Sequence, residues 1–182
     1  MIVLHRCWSV CCVLLAIAPY CLSAQAHDGR RDFDFEIGTW RTQLKVLVSP
    51  LSAPPEWAEY KGTSVVTRVW GGDANFVELD ATGPRGRILA LSLRLYDSTT
   101  QQWSLNFANA RRGAMATPSI GGFTDGRGQF HSHEVVDGRM RWVRFEITPI
   151  TADSIEFIQS VSSDGGKSWV PNWIATDSRI KE

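Results

Sequence analysis

His131 and His133 stand one residue apart in a run that alternates polar and apolar side chains, so a strand there would put both imidazoles on one side, about 7 Å apart at their Cα atoms. That spacing can grip one metal ion, but a metal needs a third ligand, and Glu146 is the nearest offer without being a compelling one. No metal site is therefore expected. Glu78, Asp80 and Glu156 sit among apolar neighbours, as a general acid or base in a dry cavity would, yet each is in phase with residues that suit water. No Ser, His and Asp set follows a known order, and the glycines of 71–75 and 122–128 precede strands rather than phosphate-cradling helices. No catalytic residue is assigned.

The histidines belong to the clearest hairpin in the chain. Asp137-Gly138 between two alternating runs asks for a two-residue type I′ turn, which sets Val136 against Arg139 and His131 against Arg144. Directly opposed residues share a face. One face then carries His131, His133, Trp142, Arg144 and Glu146, the other Phe130, Glu134, Arg141, Val143, Phe145 and Ile147. The second face is the more apolar and is expected inside, leaving the histidines to water. The opposite orientation would bring His131, His133, Trp142 and Arg144 into a pocket, so these four are kept as ligand-contact candidates.

Tryptophan is abundant, and its flat apolar ring with one donor suits the wall of a pocket as well as a plain core. Trp103 and Trp173 are the candidates for such a wall. Asn109 and Gln159 fall in phase with the core faces of their strands and are the candidate orienting groups; Asn106 and Asn172 are weaker ones.

The stretch SSDGGKSW, Ser162 to Trp169, has the spacing of the Asp-box turns found on sialidase-type propellers. In such a turn an Asp side chain accepts from nearby backbone amides, and a Trp packs beneath it. A propeller needs the unit repeated, and it occurs here once. Asp164 and Trp169 are therefore read as a hairpin lock, not as part of a glycosidase.

Residues 1–26 run from a basic start at Arg6 through an apolar stretch, Trp8 to Ala18, to Ala24-Gln25-Ala26, the pattern of a secretory leader with a small-x-small cleavage site. The apolar run is too short to span a bilayer. All four cysteines lie within residues 1–26, so the mature chain, 27–182, is expected to keep no thiol and no disulfide. Ala18-Pro19-Tyr20 before Cys21 does not suit lipoprotein processing. The chain holds 19 basic and 19 acidic residues with no basic run, which argues against nucleic acid or an anionic membrane as partner. An exported protein, periplasmic or extracellular, is expected.

These side chains are positioned by strands. A spacing of two recurs from Trp40 to Asp177, while no window holds helical spacing for more than a turn. Leu89, Leu91, Leu93 and Leu95 line one face and are expected to be core, continued by Trp103, Leu105 and Phe107. Nine or ten consecutive antiparallel strands in one domain hide their edges most simply by closing into an up-and-down barrel. The expectation is a single all-β domain of that architecture.

At the start of the first strand, Asp34-Phe35-Glu36-Ile37-Gly38-Thr39-Trp40 carries Gly-x-Trp, which resembles the hallmark of lipocalins and the wider calycin group. The resemblance implies that Trp40 plugs the closed end of a barrel and that an Arg near the last strand, here Arg179, stacks across it. Paired cysteines and a long C-terminal helix, usual in lipocalins, have no counterpart in the mature sequence, so it reaches only to the architecture. Some calycin-type barrels hold haem on one histidine; with only His27, His131 and His133 after cleavage, haem is not expected here. The expected function is binding of a small, mostly apolar or aromatic molecule in the lumen without catalysis. The alternatives are a barrel isomerase, cyclase or hydrolase using a lumen carboxylate or histidine, and a filled barrel acting as an envelope interaction protein.

Overall fold

A computed structural model describes residues 28–49 and 54–181; the leader with its cysteines, His27, residues 50–53 and Glu182 lie outside the described residues. Ten strands follow in order: β1 Gly38–Ser49, β2 Glu56–Val69, β3 Ala74–Gly83, β4 Gly86–Asp97, β5 Gln102–Asn109, β6 Ser119–Thr124, β7 Arg127–Val136, β8 Arg139–Ile150, β9 Ser154–Ser162 and β10 Val170–Arg179. Each pairs antiparallel with the next, and β1 pairs with β10. The sheet is a closed up-and-down barrel with no free edge. Among the described residues no helix is long and apolar enough to cross a membrane.

Turn chemistry sets the registers. Asp137 and Gly138 take φ values of 52° and 72°, the left-handed pair that a type I′ turn demands. Val136 accordingly faces Arg139, and His131 faces Arg144. Phe130, Val143 and Ile147 are buried inside, and Phe145 packs with them.

The end that holds the start of β1 is sealed by the segment before it, which makes two 3-10 turns at Gly29–Arg31 and Asp34–Glu36. Phe33, 1 % exposed, meets Trp103 and Phe123 edge-on with ring centroids 4.9 Å apart and stacks on Phe130 at 5.8 Å. Trp103 Nε1 donates to the carbonyl of Gly29 at 2.8 Å, tying the segment to β5. Trp40 is wholly buried, its Nε1 donating to the carbonyl of Glu36 at 2.6 Å. Gly38 sits at φ 129°, and a Cβ there would lie 3.0 Å from Arg179 Nη1, so the glycine of Gly-x-Trp leaves room for the arginine.

One expectation about the core is overturned. Ala90 and Arg94 of β4 point inward with Ser92, while Leu89 is 38 % exposed and Leu93 and Leu95 are only half-buried and away from the cavity; Leu91 alone of that face borders it. Register decides the matter: Tyr96 pairs with Trp103, Arg94 with Leu105 and Ser92 with Phe107. The inward aromatic face of β5 is thus opposite the polar phase of β4. Both faces of β4 carry apolar residues, so alternation alone could not choose between them.

Candidate functional site

Away from the Trp40 end the barrel opens into a cavity of about 630 Å³. Its walls are apolar: Val77, Leu79, Leu105, Val143, Phe145 and Phe157 among others. Small residues at Ala90, Ser92 and Ala175 leave the volume unfilled. At the mouth, Phe107 of β5 and Trp173 of β10, from opposite sides of the ring of strands, approach edge-on with centroids 6.2 Å apart. Met115, Ala116 and Thr117 of the β5–β6 loop complete the rim, held by the amide of Ala116 donating to Phe107 O at 2.8 Å.

The floor is polar. Arg94 reaches down from β4 to Glu36 of the sealing segment and makes a two-pronged pair, with Nη1 donating to Oε2 and Nη2 to Oε1 at 3.1 Å. Both side chains are almost completely buried, at 5 % and 1 % exposure, and the guanidinium lies 4.4 Å above the Phe33 ring. Next to this pair stands Asp177 of β10, 3 % exposed, directly opposite Thr42. Burial pushes the Asp177 carboxyl up to about 7; the Thr42 hydroxyl and Arg94 pull it down, and the Glu36 charge pushes it further up. The hydroxyls of Thr42 and Ser64 bond to each other at 2.7 Å. Asp177 Oδ1 and Arg94 Nε find no hydrogen-bond partner among the described residues.

The candidate residues from the sequence separate into three places. Gln159 and Trp173 line the lumen together, opposed across β9 and β10, and Gln159 Nε2 donates to Asn172 Oδ1 at 3.2 Å. Trp103 belongs to the sealed end and does not line the cavity, a correction that follows from its place at the start of β5. Asn109 stands where β5 ends, its Oδ1 accepting from the amide of Arg112 at 3.0 Å, so it holds the rim loop. Asn106 faces outward and donates to the carbonyl of Leu93 at 3.0 Å.

His131, Trp142 and Arg144 lie on the outer face of the β7–β8 hairpin, as the preferred orientation requires, and cannot touch a molecule in the lumen. His133 shares that face but sits high enough to border the mouth. Outside, Arg144 covers the Trp169 ring at 4.5 Å and pairs with Glu146 at 3.0 Å, which also accepts from Arg127 at 2.6 Å. Glu78 is exposed on the outer face, with Asp80 and Glu156 half-buried there. Among the described residues no three His, Cys, Asp or Glu side chains converge as a metal would need.

The loop that closes β9 to β10 locks itself. Asp164 Oδ1 accepts from the amides of Lys167 and Ser168, both at 3.0 Å, and Oδ2 from the Ser168 hydroxyl at 2.7 Å. These bonds hold the Asp164 carboxyl down at about 2. The loop sits on the open rim, with Trp169 Nε1 donating to Gly166 O at 3.1 Å.

Sequence reasoning missed Glu36, Arg94 and Asp177. Asp177 was signalled, since it lies two and four residues beyond the inward Ala175 and Trp173. Arg94 was hidden by the leucines that alternate with it, and Glu36 by a segment without periodicity.

No family model matches the chain, and no curated protein does. Among solved structures, an S-type phycobiliprotein lyase from Guillardia theta aligns with TM-score 0.56 and 13 % identity over 86 % of this chain and 95 % of that one. A de novo designed fluorescence-activating β-barrel aligns at 0.43 and 11 % identity, over 85 % and 99 %. A redesigned β-barrel bound to DFHBI gives 0.44 and 10 %, over 80 % and 99 %. The likeness is one of fold.

Proposed function

We propose that this chain is an exported, calycin-like barrel that binds a small, mostly apolar molecule in its lumen without transforming it. The observation that carries the reading is the cavity itself, about 630 Å³ with apolar walls, a mouth framed by Phe107 and Trp173, and one polar end. That is the form of a small-molecule site, in which the walls supply affinity and a few polar groups supply orientation. The lyase that shares the fold is, by its name, one that acts on phycobiliproteins, and its likeness to this chain supports the barrel that the reading requires. The leader pattern at residues 1–26 supports export, and N-terminal sequencing of the protein from culture fractions would test it by locating a cut after Ala26.

Among the described tryptophans, only Trp173 lines the cavity. A bound molecule should therefore change intrinsic fluorescence in the chain and not in a Trp173→Phe variant. Titration of the mature protein with a mixed panel of lipids and aromatic compounds is the test, and no response to any of them overturns the reading.

Asp177 favours a second reading. A carboxyl poised near neutrality on a dry floor is suited to proton transfer, as an isomerase, cyclase or hydrolase would require. Chemical change in a bound panel compound, lost in Asp177→Asn, would favour it over binding alone. A barrel filled by its own side chains gains no support from a lumen of this volume.

A further inference from the structure

Resting on the lumen-binding reading, we propose that Asp177 forms a cation subsite on the lumen floor, which takes the protonated amine of an otherwise apolar molecule. The groups that face Asp177 decide this. From the sealing segment comes Glu36, from β4 Arg94, from β1 Thr42 and from β2 Ser64, while β9 presents the apolar Ile155 directly opposite. Arg179, two residues along β10, is turned to Trp40 and the carbonyls of Phe35 and Ile37. Arg94 is the cation nearest the carboxyl, and both its terminal nitrogens are engaged by Glu36. Thr42 and Ser64 bond to each other. Asp177 is thus a buried carboxyl, 3 % exposed, with one oxygen unpartnered and no counter-charge of its own.

Three classes of polar head are discriminated by that arrangement. A carboxylate would meet Asp177 and Glu36 with the floor arginine already matched, and like charges at short range in a poorly screened site repel. A neutral acceptor could be held by the protonated acid or by the unpartnered Nε of Arg94, and in neither case does it compensate an ionised Asp177. An ammonium supplies donors for the open oxygen and the missing positive charge together. The rest of the lining points the same way: Glu134 and Asp137 border the upper cavity against Arg112.

The probes are decylamine, decanol and decanoate, which share a chain and differ in head group, titrated into the mature protein with Trp173 fluorescence as readout. Decylamine stays protonated throughout the range used. At pH 8 it should bind about tenfold tighter than either other probe, a difference of about 1.4 kcal/mol. Its advantage over decanol should shrink to about threefold or less at pH 5.5, where Asp177 holds its proton. In Asp177→Asn the ratio of decylamine to decanol affinity should fall near one at both pH values.

Decanoate binding as tightly as decylamine overturns the subsite, as does an amine preference that survives in Asp177→Asn. A pH dependence that persists in that variant arises from a group other than Asp177, and also overturns it. Should the variant fail to fold, judged by near-ultraviolet circular dichroism, the pH series on the unaltered chain still decides. If decanol and decanoate bind and decylamine has no advantage, the subsite fails while lumen binding stands; if none of the three binds, both fail.

Discussion

Arg179 lies with its guanidinium carbon 4.0 Å above the Trp40 ring, on the residue directly opposite it across the β1–β10 seam. The same side chain donates to the carbonyls of Ala152, Ile37 and Phe35, at 2.8, 3.0 and 2.5 Å. One arginine therefore ties the seam that closes the barrel to the segment that seals its end.

Removing either member should loosen that seam. Trp40→Ala is expected to cost about 3–5 kcal/mol, because the ring is wholly buried. Arg179→Ala loses a ring contact of about 0.5–2 kcal/mol and leaves three carbonyls without this donor, so about 2 kcal/mol or more is expected. Urea denaturation measures both, and a loss under about 0.5 kcal/mol for Arg179→Ala would remove the seam from its role.

The buried pair between Glu36 and Arg94 predicts an asymmetry. Glu36→Ala strands a guanidinium in a dry floor and should destabilise by about 3–5 kcal/mol. Replacing both with apolar residues of similar size, Glu36→Leu with Arg94→Met, should cost less than Glu36→Ala alone. A double variant that is the less stable of the two contradicts this account of the floor.

Asp177 makes stability depend on pH in a definite direction. Its folded carboxyl titrates near 7, above the ordinary carboxylate range, so the folded chain holds the extra proton. Its contribution is fully present below about pH 4 and is lost as pH rises from there through about 7. Asp177→Asn should flatten this slope and gain on the parent as pH rises, by about 1.4 kcal/mol for each unit the carboxyl is displaced. Carboxyl carbon NMR locates the midpoint directly, and a value in the ordinary range ends the argument.

Asp164 titrates in the opposite sense. Its bonds hold the folded carboxyl at about 2, so the order they give the rim loop is present above about pH 4 and lost as pH falls through about 2. Hydrogen exchange at the amides of Lys167 and Ser168 should quicken in Asp164→Ala while strand amides keep their protection. Unchanged exchange there would mean that the lock does not depend on this side chain.

Filling the lumen should abolish binding. Ala90 faces into the cavity, and phenylalanine there occupies the space a ligand would take. Ala90→Phe is expected to weaken every fluorescence-detected ligand by about tenfold or more. Unaltered affinity places the ligand elsewhere.

Much of this architecture was legible in the residue order. A spacing of two, the Asp137-Gly138 turn and the absence of helical runs lead to a single closed sheet. Turn geometry also carried the β7–β8 register to the right partners, and Gly38-x-Trp40 with Arg179 marked the sealed end. What periodicity could not decide was which phase of a strand faces inward when both phases hold apolar residues, and so the leucines of β4 were assigned to the wrong side. The floor was hidden for a related reason. Glu36, Arg94 and Asp177 are separated by long stretches of chain, the phase of β10 marks only Asp177 as inward, and only closure of the sheet over its own N-terminal segment brings their charges into one dry space.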